Sequence, residues 1–168
     1  MHSMSNLLTK LAIVSCFCLS GAIGHAQQAN IAFGGMKQDT SLPVTLDADS
    51  LAINNADGSA VFTGNVVVVQ GEMQLKAGEV QVEYLPDGGG IKTLHAKGGV
   101  TLVNAADAAE AREAIYTIES GNVVMTGDVL LTQGQNAISG QKLVINLKDG
   151  TGVMEGRVQT VFNPGAKK

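Results

Sequence analysis

Few residues in this chain are of types that do chemistry, and their spacing does not gather them. His95 has no cysteine or second histidine beside it and falls on the polar parity of its segment, so a solvated imidazole describes it better than a ligand or base. Asp47 and Asp49 could pair for general acid–base work, but they precede a strand, where a turn or a charged edge explains them better. Gly88-Gly89-Gly90 lacks the following helix or Lys-Ser/Thr of a phosphate loop and reads as a turn. Lys76, Lys92, Lys97, Arg112, Lys142 and Arg157 are scattered singly, as solvated charges are. With 11 Lys+Arg against 15 Asp+Glu and a sequence pI of 5.2, no cationic surplus exists to neutralise nucleic-acid phosphates. These residues argue for no enzyme, no metal and no cofactor. Function must then come from shape and surface.

The two cysteines, Cys16 and Cys18, lie inside an apolar run from Leu11 to Ile23 that follows Lys10 and ends in Gly24-His25-Ala26. A basic start, 13 apolar-rich residues and small residues before Gln27 predict a secretory signal peptide over 1–26, too short for a comfortable membrane span. Ile13-Val14-Ser15-Cys16 loosely fits a lipidation box, but only four apolar residues separate Lys10 from Ser15. Cleavage leaves 142 residues with ten Lys+Arg against fifteen Asp+Glu, no cysteine and His95 as the single histidine. An exported domain without disulfides must be held by its core and its sheet, and a chain of this length can manage that.

The elements come from a repeat. Ala48–Gly71 aligns with Ala111–Gly134 at a shift of 63 without a gap, and eight of 24 positions are identical. The Gly-x-Val at its heart recurs four times, with valines at 66, 100, 129 and 158. The longer spacing of the second unit is taken up by the turn Pro86-Asp87-Gly88-Gly89-Gly90. Each unit reads as strand, tight turn, strand, with Asp57-Gly58, Ser120-Gly121 and Asp149-Gly150 as hairpin connections. The Gly of Gly-x-Val interrupts a β-branched run and predicts a bulge or corner. No stretch keeps a 3.6-residue period, although Ala105–Ala111 could form one helical turn in a linker position. The fold is all-β, with a domain over 42–162, a flexible linker over 27–41 and a flexible tail over 163–168. Pro43-Val44-Thr45-Leu46 starts an edge strand, where proline's missing N–H breaks no ladder bond.

Parity picks an apolar face. It comprises Phe62, Val66, Val68, Leu94, Val100, Leu102, Val123, Met125, Val129, Leu131, Met154 and Val158 on the Gly-x-Val strands. On the strands preceding them it comprises Leu51, Ile53, Val80, Val82, Tyr116, Ile118, Leu143 and Ile145. Thr63, His95, Lys97, Thr101, Thr126 and Glu155 take the opposite side. Such an aliphatic face is either an ordinary close-packed sandwich core or the wall of a slot that admits lipid chains, which need area and no directional partners.

The run Pro43-Val44-Thr45-Leu46-Asp47-Ala48-Asp49, the block Phe62-Thr63-Gly64-Asn65-Val66-Val67-Val68-Val69-Gln70-Gly71 and Leu94-His95-Ala96-Lys97-Gly98-Gly99-Val100 together resemble the OstA-like (LptA) family of periplasmic lipopolysaccharide-transport proteins. The resemblance spans roughly residues 42–162. It implies an open, V-shaped antiparallel β-jellyroll of four repeated strand-turn-strand units, binding lipopolysaccharide by its acyl chains in a hydrophobic groove. It also implies a bridge in the Gram-negative periplasm between an inner-membrane export complex and an outer-membrane translocon. Copies would stack head to tail through edge strands, at Val44, Thr45, Leu46 and Asp47 on one side and Val158, Gln159, Thr160, Val161 and Phe162 on the other. The rival is a structural β-module that holds no ligand and touches only other proteins.

Overall fold

The computed structural model describes residues 36–54 and 58–162, together with the backbone of 29–32. The predicted signal peptide and tail lie outside the described residues. Six long strands form an antiparallel meander: β4 (Ser59–Gln70), β5 (Met73–Tyr84), β6 (Ile91–Asn104), β7 (Asp107–Thr117), β8 (Asn122–Gln133) and β9 (Asn136–Asn146). Short strands finish both ends. β2 (Thr45–Asp47) and β3 (Ser50–Asn54) pair with the two halves of β4, and β10 (Thr151–Glu155) and β11 (Gln159–Val161) pair with the two halves of β9. β1 (Ala29–Ala32) adds itself to the outer side of β10. The path from β1 to β2 does not close, so this is an open antiparallel sheet and not a barrel.

A row of bulges divides every long strand into two arms. β4, β6 and β8 each insert two residues, Gly64-Asn65, Gly98-Gly99 and Gly127-Asp128, against the single Gly78, Arg112 or Gln141 of a neighbouring strand. Both inserted residues take positive φ, and Gly156-Arg157 repeats the conformation in the fourth unit. The recurrent Gly-x-Val therefore encodes two successive left-handed residues, which glycine adopts freely and Asn or Asp tolerate. The corner expected from sequence is this kink. Gly78 has its own reason to be glycine, since a Cβ there would lie 3.2 Å from the carbonyl oxygen of Gly98 across the bulge.

The kink folds the two arms toward one another over a single core. One arm holds β2, β11 and the half-strands Val66–Gln70, Met73–Ala77, Val100–Asn104, Asp107–Ala111, Val129–Gln133 and Asn136–Gly140. The other holds β3, β10, β1 and the remaining halves. The segment Ala105–Ala111 is not helical: Ala105 and Ala106 make a tight turn and β7 begins at Asp107. Tertiary pairing on both sides overrides the helix propensity of its alanines.

The end of the expected flexible linker is also ordered. Met36 is fully buried in the core, and the Gln38 N–H donates to the Leu147 carbonyl at 2.8 Å. Burying a full methionine side chain contributes roughly 1.5–3 kcal/mol, which helps hold residues 36–42 in place.

Candidate functional site

The inner faces of the two arms form the candidate site. Val66, Val68, Val80, Val82, Leu94, Val100, Leu102, Tyr116, Val123, Met125, Val129, Leu131, Leu143, Ile145 and Met154 meet there, each at most 1% exposed. Phe62, Ile118 and Val158 are half-buried against them. Leu51 and Ile53 depart from the expectation of an enclosed wall. They pair with Phe62 and Ala60 and so share the inner side, yet they are 52% and 67% exposed. β3 is an edge strand with no strand beyond it among the described residues, and an apolar residue at an uncovered margin stays wet whatever its parity.

Sequence parity missed part of this interior. In β4, β6 and β8 the two-residue insertion preserves alternation, so one parity holds along the whole strand. In β5, β7 and β9 the single-residue bulge flips it. Met73, Leu75, Ala77, Ala109 and Ile138 thereby join the inner face, out of phase with Val80, Val82, Ala114, Tyr116, Leu143 and Ile145. Gly78 was the one available signal; Arg112 and Gln141 give none.

Polar groups enter this interior at one end. Gln70 is fully buried; its side-chain amide donates to the Thr40 carbonyl at 3.0 Å and the Leu42 carbonyl at 2.8 Å. Its side-chain oxygen accepts the Tyr116 hydroxyl at 2.7 Å, a bond between the two arms. Gln38 donates its side-chain amide to the Gln70 carbonyl. Burial pushes the Tyr116 phenol up to about 12, with the bond to Gln70 pulling weakly the other way. Residues 36–42 thus cross the end of the slot, pinned to Gln70 on one arm and Leu147 on the other.

The remaining chemistry-bearing residues stay apart. Glu113 Oε2 lies 3.6 Å from His95 Nε2, an ion-pair distance too long for a hydrogen bond, on the outer face. Asp49 accepts from the Asn65 side-chain amide at 2.8 Å and from its own N–H the Gly64 carbonyl receives a bond at 2.9 Å, so it braces the bulge of β4. Among the described residues no three His, Cys, Asp or Glu side chains are grouped to hold a metal. Of the expected edges, Val44 and Leu46 lean on the core, while Thr45, Asp47, Gln159, Thr160, Val161 and Phe162 are exposed.

The sequence profile of the LptA/(LptD N-terminal domain) LPS transport protein family matches residues 45–151. The chain belongs to this family. An uncharacterized protein of Rhizobium meliloti is 29% identical over 154 residues, covering 85% of this chain and 83% of the relative. The LPS-assembly protein LptD of Salmonella typhimurium is 34% identical over 79% of this chain, which spans 14% of LptD. The lipopolysaccharide export system protein LptA of Escherichia coli K12 is 26% identical over 66% of this chain and 63% of LptA. The crystal structure of LptH, the LptA-homologous periplasmic component of the lipopolysaccharide transport device of Pseudomonas aeruginosa, superposes with a TM-score of 0.67 at 21% identity, covering 75% of this chain and 99% of LptH. It has the same fold. This is a family of transport proteins and not of enzymes.

Proposed function

We propose that this protein carries lipopolysaccharide across the periplasm, its two arms parting to take acyl chains against the aliphatic inner face. The observation that carries the reading is that face itself: two arms lined by Val, Leu, Ile and Met, folded over one another at a kink in a sheet whose path does not close. Burying a chain of about a dozen carbons releases on the order of 9 kcal/mol at ~0.8 kcal/mol per CH₂, before the cost of separating the arms. A surface ion pair to a phosphate adds only ~0–1 kcal/mol, so an acidic protein can hold an anionic lipid by its chains.

The sheet margins supply the bridging half of the function. β2 and β3 at one end and β11 at the other are short, exposed strands whose free ladder groups suit head-to-tail pairing with another copy or with sheets of the export complex and the translocon. The structural-module reading draws support from one fact, that the interior side chains already bury one another. Equilibrium binding of the purified protein to lipopolysaccharide and to the same glycan stripped of acyl chains decides between them. Saturable binding to the acylated form alone supports transport. Equal binding to both moves recognition to the surface, and binding to neither leaves a protein-contact module.

A further inference from the structure

β4, β6 and β8 end in equivalent positions of the repeat, at Gln70, Asn104 and Gln133, all facing inward at the turn end of one arm. Two of the three amides are committed within the protein. Gln70 is bonded as described above, and the Gln133 amide donates to Asp107 Oδ2 at 3.0 Å. Asn104 is different. It is 1% exposed, and among the described residues neither its Nδ2 nor its Oδ1 has a hydrogen-bond partner. A buried primary amide left unpaired is costly enough that native proteins rarely keep one without a use for it.

Its surroundings define what it would pair with. Asn104 is in register with Asp107, and the register that joins Gln74 to Val103 sets Met73 on its other side. Beyond them along the same strands lie Leu102 and Ala109, part of the aliphatic interior. The amide therefore sits where polar rim meets apolar wall. No lysine or arginine belongs to this row of inward end residues, and the nearby Asp107 carboxylate opposes an anion. One amide offers a donor and an acceptor side by side, which matches an uncharged group that both accepts and donates.

We infer that Asn104 is a binding subsite for the uncharged amide group that joins an acyl chain to a sugar, holding the polar end of the amphiphile while its chain runs into the slot. This rests on the slot reading above and adds the orientation of the lipid: polar end toward the β6–β7 turn, chain toward the kink. Phosphates would then lie outside this row.

The test compares two probes with the same chain, N-dodecanoylglucosamine and dodecyl phosphate, titrated calorimetrically into the purified protein. The wild type should bind the acyl sugar about tenfold more tightly, the scale of one well-made hydrogen-bonding pair. Asn104→Leu should lose that preference while keeping its affinity for dodecyl phosphate, and should melt at a higher temperature because the unpaired amide is gone. Asn104→Ala, which adds no branched bulk, should lose the preference equally. An unchanged preference in both variants overturns the subsite and leaves the slot intact. A lower melting temperature for Asn104→Leu also overturns it, by showing that the amide serves the fold. Wild-type binding to neither probe removes the slot and the subsite together.

Discussion

The two margins of the same arm are built alike and end differently. On one side β3 pairs with half of β4 and no strand among the described residues covers it, so Leu51 and Ile53 stand exposed on the inner side of the sheet. On the other, β10 pairs with half of β9, but β1 returns from the N-terminus to pair with β10, and Met154 is fully buried. Residue type does not explain the contrast, because both margins present aliphatic side chains. A covering strand does. On the function proposed above, the bare margin is the side from which a lipid chain would reach the interior without first displacing a strand.

The strongest way to sharpen that comparison is to place the same charge in both regions. Leu131→Asp buries a carboxylate among aliphatics, a cost of several kcal/mol against a typical total of roughly 5–15 kcal/mol, and should leave the protein unfolded in urea titrations. Ile53→Asp on the bare lip should shift stability by less than about 0.5 kcal/mol and weaken lipid uptake instead. Equal losses at the two sites would erase the distinction.

Deleting residues 27–32 should turn the covered margin into a bare one. The loss of β1 is expected to cost about 1–3 kcal/mol, at ~0.2–1 kcal/mol per cross-strand pair. Met154 should then oxidise with peroxide at a rate approaching that of an exposed methionine, read by mass spectrometry of the peptide. Protection equal to that of the full chain would show that β1 is not what covers it.

Tyr116→Phe breaks the bond between the arms beside the crossing segment 36–42, and should cost about 0.5–1.5 kcal/mol with an added penalty from the orphaned Gln70 oxygen. The same hydroxyl carries a pH signature. Its folded value of about 12 lies above the ordinary tyrosine value near 10, so the folded state holds its proton longer than the unfolded state. That contribution is complete below about pH 10 and is lost as pH rises toward 12. Stability measured across that window should fall less steeply in Tyr116→Phe than in the wild type.

Ala105→Gly touches neither margin. Ala105 holds φ at 51° in a turn whose counterparts use Gly71 and Gly134. Relief of that strain, offset by the extra freedom of glycine in the unfolded chain, should raise stability by about 1 kcal/mol or less, visible as a small rise in Tm.

Much of this was legible in the residues, and the rest was hidden for definable reasons. Four Gly-x-Val signatures announced the kinks, because only a few residue types accept consecutive positive φ. The inner residues of β4, β6 and β8 followed from alternation. Leu75 and Ile138 did not, because a bulge of one residue reverses the faces, and of the three such bulges only that at Gly78 leaves a mark in the sequence. Leu51 and Ile53 carried the right parity and the wrong burial, since alternation names a side of the sheet and says nothing about whether another strand covers it. Met36 and β1 were obscured by their Gln- and Gly-rich surroundings, because β1 is placed by pairing with β10 at the far end of the chain and Met36 by the distant core it enters.

The most direct test of the central claim follows methyl NMR signals as the protein binds a lipopolysaccharide carrying a nitroxide near an acyl-chain end. Saturable broadening of the Leu131, Leu143 and Ile145 methyls is expected, with the Ile53 methyl affected later and less. Broadening confined to Ile53 and Val161, with the interior signals sharp at saturation, would contradict it and place the lipid on the margins of a sheet that never opens.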